Sequence, residues 1–193
     1  DPAYWQDLPM EKVLEWQAQG YPRKQAHSEF PFLLQNPQTD LEKAMAKIEQ
    51  ALAKERDFWH VKSYQYNRAI LEVPEKQVIE EIKARWQLPA VYLTFLERFS
   101  PASDAFLKGI NLYGANTLIK HQCGYAFSSP DDEYFPDWKA HWLVIADKDA
   151  DPYILDLSKS DGNDAPIYKA PHGAGQWKWR KVAGSFLEFL EKL

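Results

Sequence analysis

Cysteine is nearly absent from this chain: Cys123 is the only one in 193 residues. One thiol cannot close an internal disulfide or build a multi-cysteine zinc site. Its expected place is that of a small buried hydrophobe. Long apolar runs are missing too, with no stretch of about 18 such residues to form a membrane-spanning helix. Catalytic spacing is equally scarce. The five histidines (His27, His60, His121, His141 and His172) include no pair at helical i,i+4 or zinc-finger spacing, and none belongs to an HExxH. Gly173 and Gly175, in PHGAGQ, lack the strand–loop–helix context and the Lys–Ser/Thr of a phosphate cradle. The expectation is therefore a chain without cofactor, metal or catalytic residues. It opens on Asp1, so an earlier leader stays possible, with the cytoplasm as the expected compartment.

What is plentiful is aromatic: eight Trp, ten Tyr and ten Phe, which anchor protein partners when exposed and fill a core when buried. Hydrophobic residues at 45% and charged residues at 26% fit a soluble globular domain. The net charge of −5 is unevenly spread. Residues 131–164 hold ten acids against Lys139, Lys148 and Lys159, a local −7 that leaves the rest of the chain at +2. Such a surface repels DNA and RNA and steers a basic protein toward it. Solvated turns, which favour Asp for local reasons, are the alternative origin of these acids. The expected partner-contact set is Asp131, Asp132, Glu133, Tyr134, Phe135, Asp137, Trp138, Asp147, Asp149 and Asp151, with Tyr125 and Phe127 as flanking rings.

Along the chain, residues 1–38 are punctuated by prolines, with a short helix in LPMEKVLEWQAQG ended by Gly20, and an apolar EFPFLLQ lying across the main body. A helix is predicted to start at Thr39 or Asp40, its apolar stripe formed by Leu41, Met45, Ile48 and Leu52. Residues 57–73 read as a strand or extended linker. Pro74 is expected at the first position of the next helix, which carries Val78, Ile79, Ile82 and Trp86. Pro89 breaks it and opens another, with Tyr92, Leu93, Leu96 and Phe99 on one side.

SPASD is read as a loop, and Ile110, Leu112 and Leu118 as strands around a YGAN turn. WLVIA, the turn DKDAD and the returning YILDL form a hairpin, with Tyr153, Leu155 and Leu157 on one side and Ile154 and Asp156 on the other. SDGND is a turn. APIYKA and QWKWRKVA are strands, the latter with Trp177 and Trp179 on one face, and Ser185 with Glu188 is a capping box for a last helix. Helices first, then antiparallel strands, then a closing helix make an α+β domain.

Two constellations invite chemistry. Asp147, Asp149 and Asp151 alternate as in a calcium loop, but Pro152 and Ser158 occupy the positions that need Gly and Glu, so a hairpin turn is expected. His121 and Cys123 could share a strand face as a base and nucleophile, yet the sequence offers no third, orienting group. WKWRK mixes bases and rings as single-strand nucleic-acid platforms do, but strand alternation explains the same letters.

VIEEIKARWQLPAVYLTFLERF with its Leu88–Pro89 junction, INLYG at 110–114, WLVIADKDADPYILDL running to Asp156, and VAGSFLEFL with Phe186 and Leu190 occur in that order. This succession resembles the SUKH superfamily, that of the fungal Smi/Knr cell-wall regulators and many bacterial immunity proteins. The resemblance implies a SUKH-like domain over 74–193 with a strongly bent, mostly antiparallel sheet, preceded by an N-terminal helical extension over 1–73. It also implies a bacterial immunity protein without enzymatic activity, which binds and blocks a cognate toxin, often a nuclease. A regulatory scaffold of the Smi/Knr type is the alternative, and a metal-dependent hydrolase built on Asp147, Asp149 and Asp151 is a third reading.

Overall fold

The computed structural model describes residues 34–59 (backbone alone from 54), 71–131, 133–173 and 175–193. The expected helix in LPMEKVLEWQAQG, most of EFPFLLQ and the greater part of the expected strand or linker at 57–73 lie outside these residues.

Helix α1 (Asp40–Trp59) begins at a capping box: Glu42 N–H donates to Thr39 Oγ1 at 3.2 Å, and Thr39 N–H donates to Glu42 Oε2 at 3.0 Å. Its buried side carries Leu41, Met45, Ile48 and Leu52, as the periodicity required, together with Ala44. These belong to the same hydrophobic core as the other described elements, since α1 packs on the last helix and on the strand Asp104–Leu107. It runs on to Trp59, so residues 57–59 are helical rather than extended.

Strand β1 (Leu71–Glu72) pairs antiparallel with β2 (Ser100–Pro101), closing a loop around two helices. The first, α2 (Lys76–Arg85), buries Ile79 and Ile82; Pro74 precedes its cap, Glu75, instead of opening the first turn. The second, α3 (Ala90–Arg98), buries Tyr92, Phe95 and Leu96, with Pro89 in extended geometry at its N-cap. Proline offers no side-chain cap, so the orphan amides of the first turn find other acceptors. Ala90 N–H donates to Gly162 O at 3.1 Å and Val91 N–H to Asn163 O at 2.9 Å.

The main sheet is a six-stranded antiparallel meander in the order β3 (Asp104–Leu107), β4 (Ile110–Tyr113), β5 (Trp142–Lys148), β6 (Asp151–Asp156), β7 (Ile167–Lys169) and β8 (Arg180–Ala183). Residues 100–104, expected as a loop, thus supply β2 and the start of β3. The expected turn and strand at YGAN and Leu118 form a short helix, α4 (Ala115–Leu118). Gly114 accounts for this departure. A Cβ there would collide with the backbone oxygens of Pro101 and Ser103, so the chain passes beneath β2 only because the side chain is absent.

Strand β6 lies inside the sheet and is buried on both faces, so Tyr153, Ile154, Leu155 and Asp156 are all covered. Leu157 opens a 3₁₀ turn. The last helix, α5 (Phe186–Lys192), has Ser185 Oγ accepting from Glu188 N–H at 3.0 Å. Phe186 drives into the core against Tyr92 and Phe95, at ring distances of 4.8 and 5.1 Å.

Candidate functional site

Between α4 and β5 the chain leaves the sheet for some twenty residues, and the expected docking set begins there. Gln122, in the 3₁₀ turn Lys120–Gln122, anchors the excursion. Its amide stands where a neighbouring strand would be: Nε2 donates to Val144 O at 2.8 Å, and Oε1 accepts from Val144 N–H at 3.0 Å. A second Nε2 bond reaches Leu118 O at 2.9 Å. Backbone bonds then fold the segment on itself. Ala126 N–H donates to Gln122 O at 2.8 Å, Phe135 N–H to Ala126 O at 2.7 Å, and Trp138 N–H to Phe135 O at 2.8 Å. From outside, Arg85 Nη1 donates to Pro130 O at 2.8 Å.

This scaffold leaves Tyr134 and Phe135 each 37% exposed, flanked by exposed Asp131, Glu133 and Asp137. None of these three acids takes part in an ion pair among the described residues. Asp132 lies outside the described residues.

Trp138 corrects the expectation of a surface anchor. It is only 4% exposed, edge-on to Trp142, Trp177 and Trp179 at 5.6, 5.4 and 5.9 Å, with Nε1 donating to Trp142 O at 3.1 Å. Phe127 is buried as well, its ring 5.8 Å from that of Tyr134. These two rings brace the loop from below. Trp177 and Trp179 do share a side, stacked at 5.3 Å and 12°, although they precede β8 instead of lying in it.

The three alternating aspartates form the expected hairpin turn. Lys148 pairs with Asp151, and Asp149 and Ala150 take φ of 55° and 66°, the left-handed pair that a two-residue turn requires. The carboxylates do not converge, and no group of three or more His, Cys, Asp or Glu is placed to hold a metal among the described residues. Asp147 accepts from Tyr113 OH at 2.9 Å and from Asn111 Nδ2 at 3.2 Å. Asp151 accepts from His172 N–H at 2.9 Å and pairs with Lys169 at 3.3 Å. The His172 amide, seconded by Lys169, holds its carboxyl below the usual range. Only Asp149 projects freely into solvent.

Three further acids of the 131–164 segment are structural. Asp156 receives Ser158 N–H and O–H and pairs with Lys159 at 3.2 Å. Asp161 accepts from the amides of Asn163 and Asp164, both at 2.8 Å. Buried Asp164 accepts from Phe186 N–H at 2.8 Å and Leu187 N–H at 3.2 Å, capping α5 across 22 residues. The local excess of acid is therefore divided between turn and cap duties and a smaller exposed group.

A polar cluster that the sequence did not reveal lies at the β3–β4 end. His121 Nε2 meets Asp104 Oδ2 at 2.9 Å while the imidazole stacks on Tyr113 at 4.0 Å and 14°. Thr117 Oγ1 donates to Asp104 Oδ1 at 2.6 Å. Burial pushes the Asp104 carboxyl up, but the His121 and Thr117 bonds outweigh it and hold the group below its ordinary value. The Tyr125 hydroxyl, which donates to Ala150 O at 2.9 Å, is pushed up to about 12 by burial and then by Asp147. Asp104 is thus the third group that His121 lacked on paper. Cys123 makes no hydrogen bond to His121 among the described residues.

A six-stranded antiparallel sheet, paired helices meeting at Leu88–Pro89 and a closing helix on Phe186 coincide with a match to the profile described as SMI1 / KNR4 family (SUKH-1) over residues 74–192. The chain belongs to the SMI1/KNR4 (SUKH-1) family. No curated protein and no solved structure matches it. Within this SUKH chain the matched region includes the whole meander and α2 to α5, while α1 precedes it and shares its core. No helix among the described residues is long and apolar enough to cross a membrane.

Proposed function

We propose that this SUKH protein is a non-enzymatic binding protein, an immunity protein that neutralises a toxin by covering part of its surface. The observation that carries the reading is the loop 130–138: two half-exposed rings, Tyr134 and Phe135, set among unpaired Asp131, Glu133 and Asp137 on a backbone-braced support. Exposed acids raise the encounter rate with a basic partner, such as a nuclease cleft. Rings of this kind supply anchors whose truncation costs about 2 kcal/mol or more of binding energy. Bracing by Gln122, Arg85 and Trp138 lowers the ordering entropy that docking would otherwise cost. Asp149 extends the acidic surface, whereas Trp138, Asp147 and Asp151 act as its supports.

The test is growth rescue. Cells expressing the toxin encoded beside this chain's gene should recover when the chain is co-expressed. Tyr134→Ala with Phe135→Ala should abolish recovery, and Asp131→Lys with Glu133→Lys and Asp137→Lys should slow association several-fold, less so at high salt. Full rescue by both variants would remove the loop from the interface. No rescue by the native chain, with Tyr134-dependent capture of a host protein, would turn the reading to the regulatory scaffold.

A further inference from the structure

A hollow of about 520 Å³ opens between the α2–α3 junction, the end of the docking excursion and the loop that follows β6. Its apolar lining includes Trp86, Leu88 and Leu157. Its rim is made of donors. Arg85 is fixed through Nη1 to Pro130 O at 2.8 Å, which orients the guanidinium while leaving most of its N–H groups free. His141 also lines the hollow, its ring partly exposed and 3.9 Å from Asp156. Ser160 Oγ accepts from Gly162 N–H at 3.0 Å, so its own hydroxyl proton remains available.

No Asp or Glu lines this hollow, although the chain as a whole is acidic. Asp156, 3.9 Å from His141, is buried. Lys159 at 3.2 Å and the N–H and O–H of Ser158 satisfy it. A cation would find no acceptor of charge here. A neutral apolar ligand would cover the Arg85 fork without pairing it, at a desolvation penalty. A planar carboxylate matches that fork in two parallel hydrogen bonds.

We propose that this hollow binds a carboxylate carried on an apolar body, the carboxylate on Arg85, His141 and Ser160 and the body on Trp86, Leu88 and Leu157. The carboxylate has two possible bearers, a free organic acid or the chain terminus of a protein. The inference does not rest on the toxin reading, although Arg85 also braces the acidic loop through Pro130 O.

The test is an amide-resolved NMR titration of the full chain with N-acetyl-leucine, N-acetyl-leucinamide and inorganic phosphate. N-acetyl-leucine is expected to shift the amides of Arg85, His141, Ser160 and Gly162 saturably. The uncharged amide should bind about tenfold more weakly; His141→Gln should weaken the acid by a similar factor with the remaining spectrum unchanged, and Arg85→Gln should weaken it as much while also shifting amides around Pro130, whose carbonyl it releases. An acetylated tripeptide ending in leucine that binds at least about tenfold tighter than N-acetyl-leucine assigns the site to a protein terminus; equal binding assigns it to a free acid. The proposal fails if acid and amide bind alike, if phosphate saturates the same amides as tightly, or if nothing saturates by about 50 mM.

Discussion

Replacing Gln122 with methionine tests the most consequential single side chain in the candidate site. The residue is 1% exposed, and its amide satisfies both polar groups of Val144, which is itself fully buried. Methionine fills nearly the same volume, so the packing change is small. What remains is a buried N–H and a buried C=O without partners, each costing about 1–3 kcal/mol. The expected loss is therefore about 2–6 kcal/mol, and at roughly 2–4 °C per kcal/mol for a chain of this size Tm should fall by about 10 °C. Urea unfolding followed by tryptophan fluorescence gives the free energy, and an unchanged m-value would show that the denatured state is not the cause. Gln122→Glu sharpens the argument, because it keeps an acceptor for Val144 N–H, loses both donated bonds and buries a charge; it should be at least as damaging. A loss below about 0.5 kcal/mol for the methionine variant would refute the idea that this amide substitutes for a strand.

Three further outcomes are open to measurement. Gly114→Ala places a methyl group against the backbone oxygens of Pro101 and Ser103, and should destabilise by about 3 kcal/mol or more, or prevent soluble expression; a near-neutral effect in thermal melts would contradict the close approach. Ala150→Gly relieves an alanine at φ of 66° and should stabilise by about 0.5–1 kcal/mol in urea titration, with any loss counting against the turn. Asp104 has a folded-state pKa below its unfolded value, so its stabilisation is present above about pH 4 and disappears as pH falls through the folded value. Wild type should therefore exceed Asp104→Asn in stability at neutral pH, and the gap should close in acid; a gap that widens on acidification would reverse the assignment.

The elements that were legible in the sequence are those with enough length to show their period. The α1 stripe and its cap, the Leu88–Pro89 junction and the β5–β6 hairpin all appear where the residues placed them. Among the elements of two to four residues, β4, β7 and β8 fall within stretches read as strands, whereas β2, β3 and α4 were not legible, because they hold barely one repeat and are determined by contacts such as the fit of Gly114 under β2. The acidic bias of residues 131–164 was visible, but the division of labour within it was not. Asp164 caps amides 22 residues away, and a cap looks the same in sequence as a solvated acid. Trp138 was expected at the surface for the same reason: its burial is decided by Trp177 and Trp179, which arrive from a distant part of the chain. His121 and Cys123 drew notice as a pair, while the residue between them bears the structural role.

The five residues 160–164 connect two helices that start almost a hundred residues apart. Carbonyls of Gly162 and Asn163 receive the first amides of α3, and the Asp164 carboxylate receives those of α5. Opening this loop unlocks both helix starts at once. The amide protons of Ala90, Val91, Phe186 and Leu187 should accordingly exchange with solvent deuterium as one cooperative unit, at a common opening free energy and with a common denaturant dependence.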